Sequence, residues 1–166
     1  MSIKKCRENV SEKHDSMLIN VTYINILQEE VKKKVNKFKN DLYEAIDSNH
    51  AYGPSEALDA TLISRLKNNY ETYYSIEESW EEIFENIEWA INKIEVRIVS
   101  GAANGDPALN YSDHPNGLAV IAIGGHKLSR GLTLEGLSIS YFTRNARAYD
   151  TLMQMCRWFG YKEGYK

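Results

Sequence analysis

Leu118-Ala-Val-Ile-Ala-Ile123, set between Gly117 and the Gly124–Gly125 pair, is the stretch on which the fold turns. Six consecutive apolar residues with no polar alternation are of strand length. Glycines close both ends, the pattern of a strand covered on both faces inside a parallel sheet. Downstream, GGHKLSRG at 124–131 is a polar loop, and LSISYF at 137–142 is another strand. Arg147 to Phe159 then reads as a helix with Tyr149, Leu152, Met153 and Cys156 on its inner side. Upstream, the 100–117 stretch is rich in Gly, Asn, Asp, Pro and Ser, which predicts a long surface loop. Before it, IEVRIV at 94–99 alternates like a half-buried strand.

Farther upstream, MLINVTY at 17–23 is β-rich and leads into Leu27, Val31, Val35, Phe38, Leu42 and Ile46 at helical spacing. Lys32, Lys33, Lys34, Lys37 and Lys39 mark the polar face, with Glu29 and Glu30 one turn before Lys33 and Lys34. After the Tyr52-Gly53-Pro54 break, Leu58, Leu62 and Leu66 predict a second helix with Pro54 in its first turn. Ser75-Ile-Glu-Glu78 has the form of a capping box. Behind it Ile76, Trp80, Ile83, Phe84, Ile87 and Ile91 repeat every three or four residues. The element order predicts an α/β domain of three layers with a mainly parallel sheet. Residues 1–16 form an extension, and a helical insert occupies about 50–93.

The composition narrows the function. The 166 residues are 43% hydrophobic and 26% charged, which excludes rod, collagen, membrane and disordered classes. No apolar run is long enough to span a bilayer and the N-terminus has no apolar signal core, so the expectation is a cytoplasmic protein without membrane contact. Cys6 and Cys156 have no partner spacing for a disulfide framework or a zinc site. The net charge of −3 argues against indiscriminate nucleic-acid binding, but the charge is segregated. Residues 71–95 hold eight glutamates and one lysine, whereas 126–166 hold seven Lys or Arg against three acids.

In open α/β sheets ligands gather at the carboxyl ends of the strands, which directs attention to residues 124–136. Lys127, Ser129, Arg130 and Gly131 offer cations, a hydroxyl and unhindered backbone N–H groups, the parts of an anion cradle. On spacing alone, a βα turn whose glycines only satisfy backbone geometry is an equal reading. No G-x-x-x-x-G-K-[ST] occurs, so this is not a Walker loop. Asp106, Asp113 and His114 are weak as metal ligands, because isolated polar residues in a turn-rich loop are usually solvated, and no metal site is expected.

IAIGGHKLSRGLTLEGLSISYFTRN, followed by YDTLMQMCRWFGYKEGY, closely resembles the Z-one domain, an endonuclease-type domain of superfamily II helicase-like proteins. The resemblance is dense over 117–165 and returns at KHDSMLINVTYINILQEEV. It implies the second RecA-like lobe, of P-loop NTPase type, of an ATP-driven nucleic-acid motor, truncated after motif VI. SRG at 129–131 looks like motif V, which touches the nucleic-acid backbone and the nucleotide cleft. Gln154 and Arg157 look like motif VI, whose arginine reaches the γ-phosphate bound on the other lobe. A guanidinium suits that task because it stays charged and spreads charge over the transition-state oxygens. Carried over, the resemblance makes Arg157 and Gln154 catalytic. It makes Ser129, Arg130, Gly131 and Lys162 phosphate-binding, and Lys127, Arg130 and Thr133 nucleic-acid-binding. The MLINVTY strand corresponds to the motif IV region.

Two departures bear on competence: Cys156 stands where the family has glycine, and Lys162 where it has arginine, which keeps the charge but loses the bidentate fork. No Walker lysine or acidic Mg²⁺ box precedes Met17. ATP and Mg²⁺ are therefore expected only in a full-length parent, with the first RecA-like lobe as partner in cis or trans and nucleic acid, DNA first, as substrate. The chain alone is expected to be without ATPase activity. A non-catalytic nucleic-acid-binding or protein-binding fragment is the alternative. Glu30-Val31-Lys32 is the only acid-x-Lys that invites nuclease chemistry, and on a helix residues two apart do not face the same way. Trp158 and Tyr161 are candidates for stacking on a nucleotide or a strand.

Overall fold

The computed structural model describes residues 14–21, 24–56, 61–73, 79–99, 109–125 and 134–143. The chain divides into two compact units, one formed by Lys33–Ile94 and the other by the described residues within Val10–Lys32 and Glu95–Lys166.

The second unit is a four-stranded parallel sheet, and the chain is an α/β protein as a RecA-like lobe requires. The strands are β1 (Asp15–Asn20), β2 (Ile94–Ile98), β3 (Ala119–Gly124) and β4 (Leu137–Phe142), in the order β2-β3-β1-β4. The apolar run that predicted an interior strand is β3. It shares the interior with β1, which pairs in parallel with β3 from Asp15↔Ala119 to Asn20↔Gly124 and with β4 from Ser16↔Leu137 to Asn20↔Phe142. A register shift between Ser16 and Met17 passes over Ser138, whose hydroxyl donates to the Ser16 carbonyl at 3.3 Å. β1 lies between β3 and β4, so two strands that are consecutive in the chain are not neighbours in the sheet.

One face of this sheet is sealed by Leu18, Ala122 and Leu134, packed with Val99, Leu109, Leu137 and Phe142. Tyr111, Leu118 and Val120 form a neighbouring cluster. The 100–117 stretch departs from a plain surface loop, since Tyr111–Asp113 is a 3-10 turn whose Tyr111 ring is only 7% exposed. Turn-rich composition reports backbone shape, and one aromatic ring in such a segment can still bury a large apolar area.

The helical unit contains α1 (Asn25–Asn49), a 3-10 turn (His50–Tyr52), α2 (Gly53–Glu56), α3 (Thr61–Tyr73) and α4 (Trp80–Lys93); α1 starts in the sheet unit and crosses into this one. Its core is Ile46, Ile63, Trp80, Phe84, Ile87 and Ile91, edged by Leu42, Tyr43, Leu66, Tyr70 and Ile83. Each fully buried large side chain contributes about 1.5–3 kcal/mol. Of the stripe predicted for α1, Leu42 and Ile46 join this core, while Phe38 is 53% exposed. Length explains the split: 25 residues run roughly 37 Å, whereas the 13 and 14 residues of α3 and α4 run roughly 20 Å each and cannot cover α1 from end to end. In α3 the anchor is Ile63 rather than Leu62; Leu58 lies outside the described residues.

α4 begins at Trp80 with Ser79 as N-cap. The Ser79 hydroxyl accepts from the Glu82 N–H at 3.3 Å and the Glu82 carboxylate accepts from the Ser79 N–H at 3.2 Å, a complete capping box. The box expected at Ser75–Glu78 lies outside the described residues. The Trp80 indole N–H donates to the Pro54 carbonyl at 3.2 Å, which ties α2 to the start of α4. On α1, Lys37 pairs with Asp41 one turn on, and Lys39 donates to the Ile94 carbonyl at 2.7 Å.

Candidate nucleic-acid interface

Parallel pairing brings the carboxyl ends of β1, β3 and β4 flush, because Asn20 stands in register with Gly124 on one side and Phe142 on the other. The chain is held there by backbone bonds. Val21 N–H donates to the Gly124 carbonyl at 2.8 Å. Thr143 donates twice to the Asn20 carbonyl, from its N–H at 3.1 Å and from Oγ1 at 3.2 Å. Gly124 and Gly125 are both buried and contribute no side chain.

Asn20 is 1% exposed, and among the described residues its Nδ2 has no hydrogen-bond acceptor. The register accounts for this, since the neighbour on β3 is a glycine and the neighbour on β4 is a phenylalanine. On the same sheet face, one pleat back, the Ser140 Oγ is also buried without a partner among the described residues. Buried polar groups are almost always paired, so two such atoms near one edge mark the place where protein acceptors run out.

At the opposite edge a hydrogen-bond network joins three segments. Tyr111 Oη and Ser16 Oγ are 2.7 Å apart, and Ser16 Oγ donates to the Glu135 carbonyl at 2.7 Å. A serine hydroxyl has one proton, so Tyr111 is the donor in the first contact. His14 Nδ1 accepts from the Leu118 N–H at 3.1 Å, which leaves the ring proton on Nε2, 3.7 Å from a Glu135 carboxylate oxygen. The His14 and Tyr111 rings meet edge-on at 4.9 Å. Burial pushes the Tyr111 phenol above its ordinary value; the hydrogen bonds to Ser16 and the Glu135 backbone oppose the shift. Nearby, Arg97 pairs with Glu95 at 2.6 Å and approaches His114 Nε2 at 3.5 Å. These bonds position backbone at the amino ends of β1, β3 and β4, away from the strand ends where α/β sheets bind ligands.

The residues carried over from the family motifs, Lys127, Ser129, Arg130, Gly131 and Thr133 in one segment and Gln154, Arg157 and Lys162 in the other, lie outside the described residues, as do Asp106, Cys156, Trp158 and Tyr161. The structure describes the platform from which both segments leave: residue 126 follows Gly125 and residue 144 follows Thr143, at the same edge as Asn20. Asp113 is exposed, and no group of three or more His, Cys, Asp or Glu side chains converges among the described residues. Of the aromatics on β4, Tyr141 is 58% exposed and Phe142 packs into the sheet core. Sequence reasoning missed Asn20, Tyr111 and Gly136. The available signal for Asn20 was an amide placed directly after the apolar run Met17–Ile19.

Sheet order and parallel register define an α/β domain, and the carboxyl edge is the one at which such sheets bind ligands. The Z1 domain family model matches residues 1–166, the whole chain, and the chain belongs to that family, the Z-one domain of the motif comparison. Searches of curated proteins and of solved structures gave no significant match. No helix among the described residues is long and apolar enough to cross a membrane.

Proposed function

We propose that this Z1 domain is the second RecA-like lobe of an ATP-dependent, superfamily II helicase-like protein acting on nucleic acid, DNA first. Family membership suggests an endonuclease- or helicase-associated domain. The observation that carries the finer reading is the flush carboxyl edge of β1, β3 and β4, from which the two basic segments depart. Lys127, Arg130 and Thr133 contact the nucleic-acid backbone, and Ser129, Arg130, Gly131 and Lys162 bind phosphate. Arg157, with Gln154, reaches across a cleft to the γ-phosphate of ATP held with Mg²⁺ on a partner lobe. ATP supplies the phosphoanhydride whose cleavage drives movement. The sequence has cations for phosphate and no Walker lysine loop, and no carboxylate set converges among the described residues, so its residues fit a contribution to a shared site rather than a complete one.

The test is made in the reconstituted two-lobe protein. Arg157→Ala is expected to abolish ATP hydrolysis and spare DNA binding, while Lys127→Ala and Arg130→Ala weaken DNA binding. Hydrolysis indifferent to Arg157, with binding still dependent on Lys127 and Arg130, would replace the motor reading with a non-catalytic nucleic-acid-binding module.

A further inference from the structure

We propose that the Asn20 side chain is a phosphate ligand, its Nδ2 donating to an anionic oxygen at the carboxyl edge of the sheet. This rests on the reading of that edge as the ligand-binding one. The geometry carries it. Nδ2 is buried, has no acceptor among the described residues, and stands between a glycine and a phenylalanine that cannot supply one. The Asn20 carbonyl is already taken by Thr143, so the residue is anchored through its backbone and its amide is left over. An N–H group deprived of water, and of an acceptor among the described residues, destabilises the fold unless something else accepts from it. What it can receive is an acceptor, not a donor. The chain that continues from Gly125 and Thr143 carries Lys127, Arg130, Arg144 and Arg147, so the acceptor that this charge would gather is an oxyanion. Gly124, in register with Asn20, has no side chain that could accept from Nδ2. The phosphate belongs either to a nucleic-acid backbone or to a free nucleotide; the shared chemistry is a phosphoryl oxygen accepting a neutral amide hydrogen bond.

The experiment uses the full chain and two variants, Asn20→Leu, apolar and similar in volume, and Asn20→Ala, which cannot clash. Binding of a fluorescein-labelled single-stranded oligo-dT is read at low salt. Thermal stabilisation by sodium phosphate is read against sodium chloride at matched ionic strength. A ligand donor kept unpaired in the free protein predicts that Asn20→Leu melts at or above the wild-type temperature, as when an unsatisfied polar group is replaced by an apolar one. Both variants should bind oligo-dT about tenfold more weakly, the effect of one hydrogen bond to a charged acceptor, and should lose the phosphate-dependent shift. Oligo-dT binding that depends on Lys127 and Arg130 but is unchanged in Asn20→Leu and Asn20→Ala would overturn this inference and leave the proposed function standing. A phosphate shift lost in both variants, without oligo-dT binding by wild type, would keep Asn20 as a phosphate ligand and remove the nucleic-acid reading. Neither binding nor a shift in wild type overturns both. A variant that fails to fold in the Leu form while the Ala form binds and shifts like wild type would make Asn20 structural.

Discussion

The Tyr111 hydroxyl donates to Ser16 Oγ across 2.7 Å and 95 positions of sequence, and joins the start of β1 to a turn that composition alone reads as solvated. Ser16 in turn donates a hydrogen bond to the Glu135 carbonyl, so one hydroxyl links three segments. Tyr111→Phe removes the donor but leaves the Ser16–Glu135 bond, and the expected loss is about 0.5–1.5 kcal/mol in urea denaturation at neutral pH. The phenol also couples stability to alkaline pH. Its folded pKa is raised by burial above the unfolded value of about 10. The neutral form is therefore favoured by folding: its contribution is complete below pH 10 and is lost as pH rises through the folded pKa. The Phe variant should show a shallower decline in stability above pH 10, and identical slopes would contradict the assignment.

Gly136 has φ of +64°, and a Cβ placed there would overlap the backbone carbonyl of His14. Neither party can yield, since His14 leads into β1 and Gly136 accepts from the Ser16 N–H at 2.9 Å. Gly136→Ala adds left-handed strain of roughly 1–2 kcal/mol to an overpacking cost of about 1–3 kcal/mol. Thermal melting should drop by several degrees or the protein should become insoluble; a wild-type melt would show that the β1–β4 junction is not built this way.

Ser79 is the serine that caps α4. Ser79→Ala removes the arm in which the Ser79 hydroxyl accepts from the Glu82 N–H and leaves the arm from the Ser79 backbone N–H to the Glu82 carboxylate, and about 1 kcal/mol of stability should be lost, measured by chemical denaturation. Ser79→Asp should restore most of it, because a carboxylate both caps and suits a helix N-terminus.

If the carboxyl edge binds single-stranded nucleic acid, affinity should fall linearly on a log–log plot against salt, with each neutralised phosphate adding about 0.7 to the slope. Lys127→Ala and Arg130→Ala should each lower the slope by about that amount in fluorescence anisotropy titrations. Affinity that does not change between low and physiological salt would remove the phosphate-contact reading.

Much of the fold was legible because its signals are local. LAVIAI reads as an interior strand from six side chains, and LSISYF coincides with β4 residue for residue. The turn-rich stretch before β3 was misread at Tyr111, because composition averages over a segment while one ring found a pocket beside Leu118 and Val120. The capping signature occurs twice, at Ser75 and at Ser79, and sequence has no means of ranking two consecutive boxes; the helix α4 starts behind Ser79. For the candidate site, the basic segments were visible as charge, and Gln154 and Arg157 only through the family resemblance. Asn20 was not, because its meaning comes from what stands beside it.

The sequence by itself determined the alternation of strands and helices, the apolar faces, the charge segregation and the Z1 resemblance, all properties of neighbours along the chain. Tertiary structure decided the order β2-β3-β1-β4, the register that sets Asn20 between Gly124 and Phe142, and the close approach that makes Gly136 obligatory. The physical reason is range. Periodicity and propensity act over a few residues, whereas a hydrogen bond left unmade, or a carbonyl too near a Cβ, exists only after segments more than a hundred residues apart have been brought side by side.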